Sequence, residues 1–301
     1  MKLLICTQVV DSTDSDLGFF TGWIAEFAKH AEQIEVICLK EGKHQLPANV
    51  HVNSLGKERG AQNRLTYAWR FLSLIRSLRR EYDVVFVHMN PEYVVLGGLW
   101  WRWWHKRVAL WYVHKSVDLK LRMATALVDV ILTASKESCR VTSSKVRIVG
   151  HGIDTDFFSP DPSVARGEWL LSVGRLAKSK RHDLAIREAA EEGNELRIAG
   201  EGPEEGSLQV LADTLHARVR FLGGLSQVAL RDEYRRAHLF LHTSETGSLD
   251  KVVLEALACG LPIRTNDSAL KFLEQETSVY VREHYALSKL IPAILGILSK
   301  L

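Results

Sequence analysis

Two cations stand five residues apart in the second half of the chain, Arg175 and Lys180, and their types suit the handling of phosphate. Arg175 lies in the run Ser172-Val173-Gly174-Arg175-Leu176, where an apolar strand ends in a Gly-Arg turn; Lys180 follows where a helix should begin. In a parallel sheet this is the carboxyl end of a strand, where such folds bind ligands. A guanidinium grips phosphate through two parallel hydrogen bonds, and an ammonium adds a compact charge. A surface turn with two solvated cations would look the same in isolation. Further along, Gly200-Glu201-Gly202-Pro203 closes another strand with two glycines, which let the backbone come close to a ligand, and Pro203 suits a first helical turn. The third element is Thr243-Ser244-Glu245-Thr246-Gly247-Ser248, followed by helical spacing over 249–259. Ser248 reads as the N-cap, with Asp250 in the first turn, and backbone N–H groups at such a start can bind phosphate or sugar hydroxyls. Glu255, two turns on, could accept hydrogen bonds from a ribose diol, or could be an exposed carboxylate paired with Lys251.

Positioning these groups requires a particular scaffold. Short apolar runs alternate with amphipathic segments over the whole length, with strands expected at 3–7, 34–39, 50–53, 83–88, 107–113, 128–133 and 146–149. Several are continuously apolar, as parallel strands covered on both faces should be. A helix is expected over 61–81 from Leu65, Trp69, Leu72 and Ile75. Near residue 150 a polar, Gly/Pro-rich stretch interrupts the rhythm. Strands then resume at 169–173, 195–199, 219–222, 239–242 and 262–264, with helices near 180–192, 203–215, 226–236 and 249–259. The fold class is α/β: two Rossmann-like doubly wound domains, 1–155 and 156–301, facing across a cleft.

Composition agrees. Hydrophobic residues make up 46% and charged residues 25%, the profile of a soluble globular chain, and a cytoplasmic location is expected. The four cysteines are far apart and form no C-x-x-C pair, so neither a disulfide framework nor a zinc site is expected. No leader pattern and no membrane-length apolar run is seen. Residues 1–150 hold 21 Lys+Arg against 14 Asp+Glu, and residues 151–301 hold 18 against 22, so the halves suit different partners. No nucleic-acid motif accompanies the basic half. Asp14-Ser15-Asp16 and Asp154-Thr155-Asp156 read D-x-D, too short a match to imply a divalent metal, and the glycine pair lacks the third glycine of a dinucleotide fingerprint. Neither metal nor cofactor is expected. The run from Leu99 to Arg107 holds four tryptophans beside three cations, and Arg64, Arg70, Arg76, Arg79 and Arg80 lie in the helix before it. Such residues suit a bilayer interface and a lipid-linked acceptor; tryptophans packed beneath the sheet, with solvated cations, are the favoured alternative.

Taken in order, the pieces of the second half resemble the retaining GT-B glycosyltransferases of glycosyltransferase family 4, the group 1 transferases. The resemblance rests on V-G-R-L-x-x-x-K at 173–180, G-x-G-P at 200–203, F-L-G at 221–223 and L-E-A-L-A-C-G-L-P-I at 254–263. It implies a donor-binding second domain and an acceptor-side first domain. The reaction would be transfer of a sugar from a nucleoside diphosphate to a hydroxyl of a glycan or lipid-linked acceptor, with retention and without a metal. Arg175 and Lys180 would hold the diphosphate, and Glu255 matches the second acid of the family's E-x7-E motif, on the ribose. The first acid falls on Gly247, a departure. Either Glu245 or Asp250 would replace it, or backbone amides of Gly247, Ser248 and Leu249 would hold the sugar. Gly18 stands where the family carries a Gly-Gly loop, with Phe19 for the second glycine. His114 matches the histidine beside the donor sugar; His88 is a lesser candidate. An epimerase or phosphorylase of the same architecture, or a silent sugar-nucleotide binder, are the alternatives.

Overall fold

The computed structural model describes residues 1–244 and 247–301. Among them the chain forms two compact units. The first comprises Met1–Gly152 together with Leu287–Leu301, and the second Ile153–Ala286. The expected boundary at 155/156 thus falls three residues late, and assigning everything beyond it to the second domain is wrong for the last fifteen residues. The reason is hydrophobic: the final helix carries Leu287, Leu290, Ile291, Ile294 and Leu298 on one buried stripe, and that stripe packs in the first unit's core.

In the first unit β1 (Lys2–Val10), β2 (Gln33–Glu41), β3 (Val50–Ser54), β4 (Val84–His88), β5 (Arg107–Trp111), β6 (Val130–Thr133) and β7 (Val146–Ile148) form one sheet in the order β3-β2-β1-β4-β5-β6-β7. Every pairing is parallel. Strand residues alternate between two cores. Leu3 and Ile5 join Phe20, Ile24 and Phe27 of α1 (Phe19–Ala28); Leu4 and Cys6 join the core containing Phe71, Val94, Trp101 and Leu121. Those four come from α2 (Arg64–Ser77), α3 (Pro91–Trp103) and α4 (Leu119–Leu127). Burial on both faces accounts for the unbroken apolar strands. The apolar stripe read from the α2 sequence is only half right: Ile75 is buried and Leu72 partly so, while Leu65 and Trp69 are exposed, and Phe71 supplies the other buried ring.

The second unit repeats the plan on a smaller sheet. Its strands β8 (Leu170–Val173), β9 (Leu196–Ala199), β10 (Val219–Gly223), β11 (Leu239–His242) and β12 (Ile263–Thr265) are all parallel, in the order β10-β9-β8-β11-β12. Helices α5 (His182–Glu192) and α6 (Glu205–Thr214) cover one face. Helices α7 (Gln227–Arg236), α8 (Lys251–Ala258) and α9 (Ser278–Tyr285) cover the other, and α10 (Leu287–Leu298) is the helix that belongs to the first unit. The order reverses direction at β8, whose neighbours are β9 on one side and β11 on the other. Loops leaving the carboxyl ends of β8 and β11 therefore diverge and open a crevice, the topological switch point where open α/β sheets bind ligands.

Candidate functional site

The loop after β8 is held by the loop after β9. Leu176 N–H donates to the Glu201 carbonyl at 2.9 Å, and Glu204 N–H donates back to the Leu176 carbonyl at 3.0 Å. A Cβ on Gly200, whose φ is 141°, would lie 2.0 Å from the Gly174 carbonyl oxygen, and one on Gly202 would lie 2.3 Å from that of Leu176. The neighbouring backbone therefore requires both glycines. Pro203 precedes the N-cap of α6, Glu204, instead of opening the helix. The result is a rigid platform beneath Arg175. Below it the His182 ring donates from Nε2 to the Gly174 carbonyl at 3.3 Å, leaving Nδ1 to accept from the Ser172 hydroxyl at 3.0 Å. Burial pushes this imidazole down to about 4, so it is neutral at physiological pH and adds no charge of its own.

The two cations have different surroundings. Arg175 is exposed, and its side chain makes no hydrogen bond or ion pair within the described residues. Lys180, at the end of a short 3-10 turn, places Nζ 2.6 Å from Asp250 Oδ2, bridging the loops after β8 and β11 at the switch point. The same carboxylate oxygen accepts from His242 Nε2 at 3.1 Å, and the Thr265 hydroxyl lies 2.8 Å from His242 Nδ1. With Nε2 carrying the proton, Nδ1 is the acceptor. Burial would raise the Asp250 pKa, but the His242 hydrogen bond and the Lys180 charge outweigh it and hold the group down at about 2. Thr243 and Ser244 tie the second loop to the first by donating to the carbonyls of Lys180 and Ser179, at 3.0 and 3.3 Å.

Asp250, not Ser248, is the N-cap of α8, and its carboxylate serves Lys180 and His242 in place of the helix's own N–H groups. Gly247, at φ 65°, donates its N–H to the buried Asp267, whose other oxygen accepts from Ala269 N–H at 3.0 Å. The Gly247 amide is thus bonded within the protein, to the loop after β12. Ser248 and Leu249 are buried beside it. Glu245 lies outside the described residues. Glu255 does pair with Lys251, at 2.7 Å, but it is only 2% exposed, and Tyr234 OH donates to its second oxygen at 3.4 Å. The carboxylate faces α7 and has no hydrogen bond to Arg175 or Lys180. Sequence reasoning missed His242, His182, Thr265 and Asp267; only the polar strand ends Leu-His and Arg-Thr hinted at two of them.

In the first unit, Gly18 is the N-cap of α1, and a Cβ there would sit 2.5 Å from the Asp14 carbonyl oxygen. His114 is exposed beyond the end of β5, its Nδ1 within 2.8 Å of the Ser116 hydroxyl. His88 is buried, stacked at 3.8 Å on Phe20 and bonded to Thr7, and burial pushes it down to about 3. The D-x-D aspartates close their own turns: Asp14 accepts from Asp16 and Leu17 N–H, and Asp154 from Asp156 and Phe157 N–H.

Residues 155–277, which contain the whole Lys180–Asp250–His242 cluster, match the family model of the glycosyl transferases group 1. That match takes in most of the second unit. Over 126 residues the chain is 32% identical to the phosphatidylinositol N-acetylglucosaminyltransferase gpi3 subunit of Schizosaccharomyces pombe, covering 39% of this chain and 28% of that protein. It is 27% identical over 177 residues to the GDP-mannose-dependent alpha-mannosyltransferase of Mycobacterium tuberculosis, covering 56% and 42%. The chain thus spans less than half the length of either relative. The solved structure of Anabaena Alr3699/HepE in complex with UDP and glucose superposes with a TM-score of 0.77 at 15% identity, over 100% of both chains. That likeness speaks for the fold, which is GT-B. In the loop after β8, Arg175 has no side-chain partner among the described residues, whereas Lys180 is paired with Asp250.

Proposed function

We propose that the protein transfers a sugar from a nucleoside-diphosphate donor to a hydroxyl of a glycan or lipid-linked acceptor, with retention of configuration and without a metal or resident cofactor. The observation that carries this reading is the pairing of Lys180 with Asp250 at the switch point of the unit that matches group 1, with Arg175 unpartnered on the adjacent loop. A diphosphate entering the crevice meets the Arg175 guanidinium first. Its second charge competes with Asp250 for Lys180, which lies at hydrogen-bonding distance and needs only a side-chain rotation. Both cations then stabilise the charge that grows as the C1–O bond to the β-phosphate breaks. The acceptor oxygen bonds to C1, and its proton passes to the departing phosphate oxygen on the same face. Asp250 takes the place of the acid missing at Gly247 by holding Lys180 in position until donor binds. Glu255 is the ribose-side acid in this reading and becomes accessible when Lys251 swings away from it.

The test is a thermal-shift screen with UDP, GDP, ADP and their sugar conjugates, followed by a product assay with the conjugate that binds. A ligand at a hundredfold excess over its Kd stabilises the fold by about 2.7 kcal/mol. No stabilisation by any of them would remove the donor site altogether. Gly247 favours one second reading, a sugar-nucleotide binder without turnover; binding with no product over a broad acceptor panel would select it.

A further inference from the structure

The exposed face of α2 and α3 gathers several large apolar side chains. Leu65, Trp69, Leu99 and Trp103 are each about 70–80% exposed, at 80%, 70%, 69% and 71%. Of the four clustered tryptophans, only Trp101 is in the core; the favoured reading of all four as core residues is corrected here. Trp100 stacks at a tilt against Trp103 and Trp104, with ring centroids 5.8 and 5.7 Å apart. A groove of about 250 Å³ runs between the helices, lined by Trp69, Leu72, Ser73, Arg76, Trp100 and Trp104. Leaving this much aromatic surface in water is costly, and contiguous apolar patches on soluble chains mark interaction sites.

Charge narrows the choice of occupant. Residues 64–80 and 93–107 contain eight Lys and Arg; the acids that border them are Glu81 and Glu92, and Glu92 is paired with Lys120. Arg64, Arg76, Arg79, Arg80 and Arg102 are exposed and have no ion-pair partner among the described residues. Arg70 is committed to the Leu55 carbonyl and Lys106 to that of Tyr82. Indole rings flanked by an excess of arginines are the composition of a bilayer interface, where the rings sit at headgroup level and the cations meet anionic lipid. A second copy docking through the same face would oppose arginine to arginine, which disfavours self-association there.

We propose that the α2–α3 face docks onto an anionic phospholipid bilayer, with Trp69, Trp100 and Trp103 entering the headgroup region and Arg76, Arg79, Arg80 and Arg102 meeting lipid phosphates. The inference is independent of the transfer reading, because docking needs no donor. It also accounts for the positive balance of the first half of the chain.

The experiment is flotation of the full chain with vesicles of phosphatidylcholine alone and of phosphatidylcholine with 30% phosphatidylglycerol, roughly the anionic content at which surface attraction is strong. Binding to the anionic vesicles should exceed binding to the neutral ones at least tenfold and weaken with salt. The tryptophan emission should shift to the blue on binding. Trp69→Ala with Trp103→Ala, both exposed, should leave the thermal midpoint in place and lower binding about tenfold. Arg76→Glu with Arg80→Glu should lower it by about fivefold per residue and abolish the preference for anionic lipid. The proposal is overturned by equal flotation with both vesicles, by no flotation, or by variants that bind as the parent does. It is equally overturned if the parent is a dimer in lipid-free solution that the tryptophan variant dissociates, since the face would then be a self-association surface.

Discussion

The two units put opposite chemistry at the same topological place. In the first, the sheet order reverses between β1 and β4, and the carboxyl ends of those strands are filled by Thr7 and His88, with Phe19, Phe20 and Trp23 packed around the imidazole. In the second, the reversal between β8 and β11 holds Lys180, Asp250 and His242. Both histidines end a strand beside the switch point. One is packed as an aromatic core residue; the other orients a carboxylate that faces a cation. A doubly wound sheet supplies a crevice, and side chains alone decide whether it becomes a core or a site.

That contrast can be broken by substitution. The largest effect should come from Phe20→Ala, which removes the ring on which His88 stacks and costs about 3–5 kcal/mol of the first unit's stability, read by denaturant unfolding. If the loss is under 1 kcal/mol, the first crevice is not a core. Next, Lys180→Ala should lower kcat by about 10²–10³, roughly 2.7–4 kcal/mol of transition-state stabilisation, beyond the part of the Asp250 pairing lost from stability. Turnover near that of the parent would transfer the catalytic charge to another group.

Acid should separate the units through their titrating groups. Asp250 has a folded pKa near 2 against 3.8 when free, so it contributes stability above about pH 4 that is lost as pH falls from 4 towards 2. The linked amount is about 2 kcal/mol, and Asp250→Asn should flatten that part of the pH–stability curve. His88 and His182 are also lowered, to about 3 and about 4, so each disfavours folding as the unfolded imidazole takes up a proton below pH 6.5. Their losses begin at higher pH than the Asp250 loss, and His88→Gln should reduce them in the first unit alone. A curve flat from pH 7 to 4 would contradict both assignments. The smallest effect on stability should be that of Arg175→Ala, within about 0.5 kcal/mol because none of the described residues holds its side chain. Donor affinity should nonetheless fall about tenfold, since a charged hydrogen-bonding group contributes about 1.5–3 kcal/mol. Unchanged affinity would remove Arg175 from the site.

Local signals carried the scaffold well and the site only in part. β11 was expected at 239–242 and is found there, because a short apolar run between polar turns is bounded on both sides. The positions of Arg175 and Lys180 at a strand end followed from the same logic. The Lys180–Asp250 pair did not, because its members lie 70 residues apart and meet only through the strand order. Asp267 was invisible for a similar reason: its partner is a backbone N–H, which leaves no trace in a sequence. The α2 stripe misled because exposed and buried apolar residues obey one helical period, so Leu65 and Trp69 were indistinguishable from Ile75.

The chain's last helix completes a core begun by its first strand, which makes residues 153–286 an insertion within a discontinuous first unit. During synthesis the inserted unit leaves the ribosome whole, while the earlier one waits for residues 287–301 before Ile24 and Phe27 gain their final neighbours. A premature stop that deletes those residues would therefore damage the portion made first and spare the portion made later.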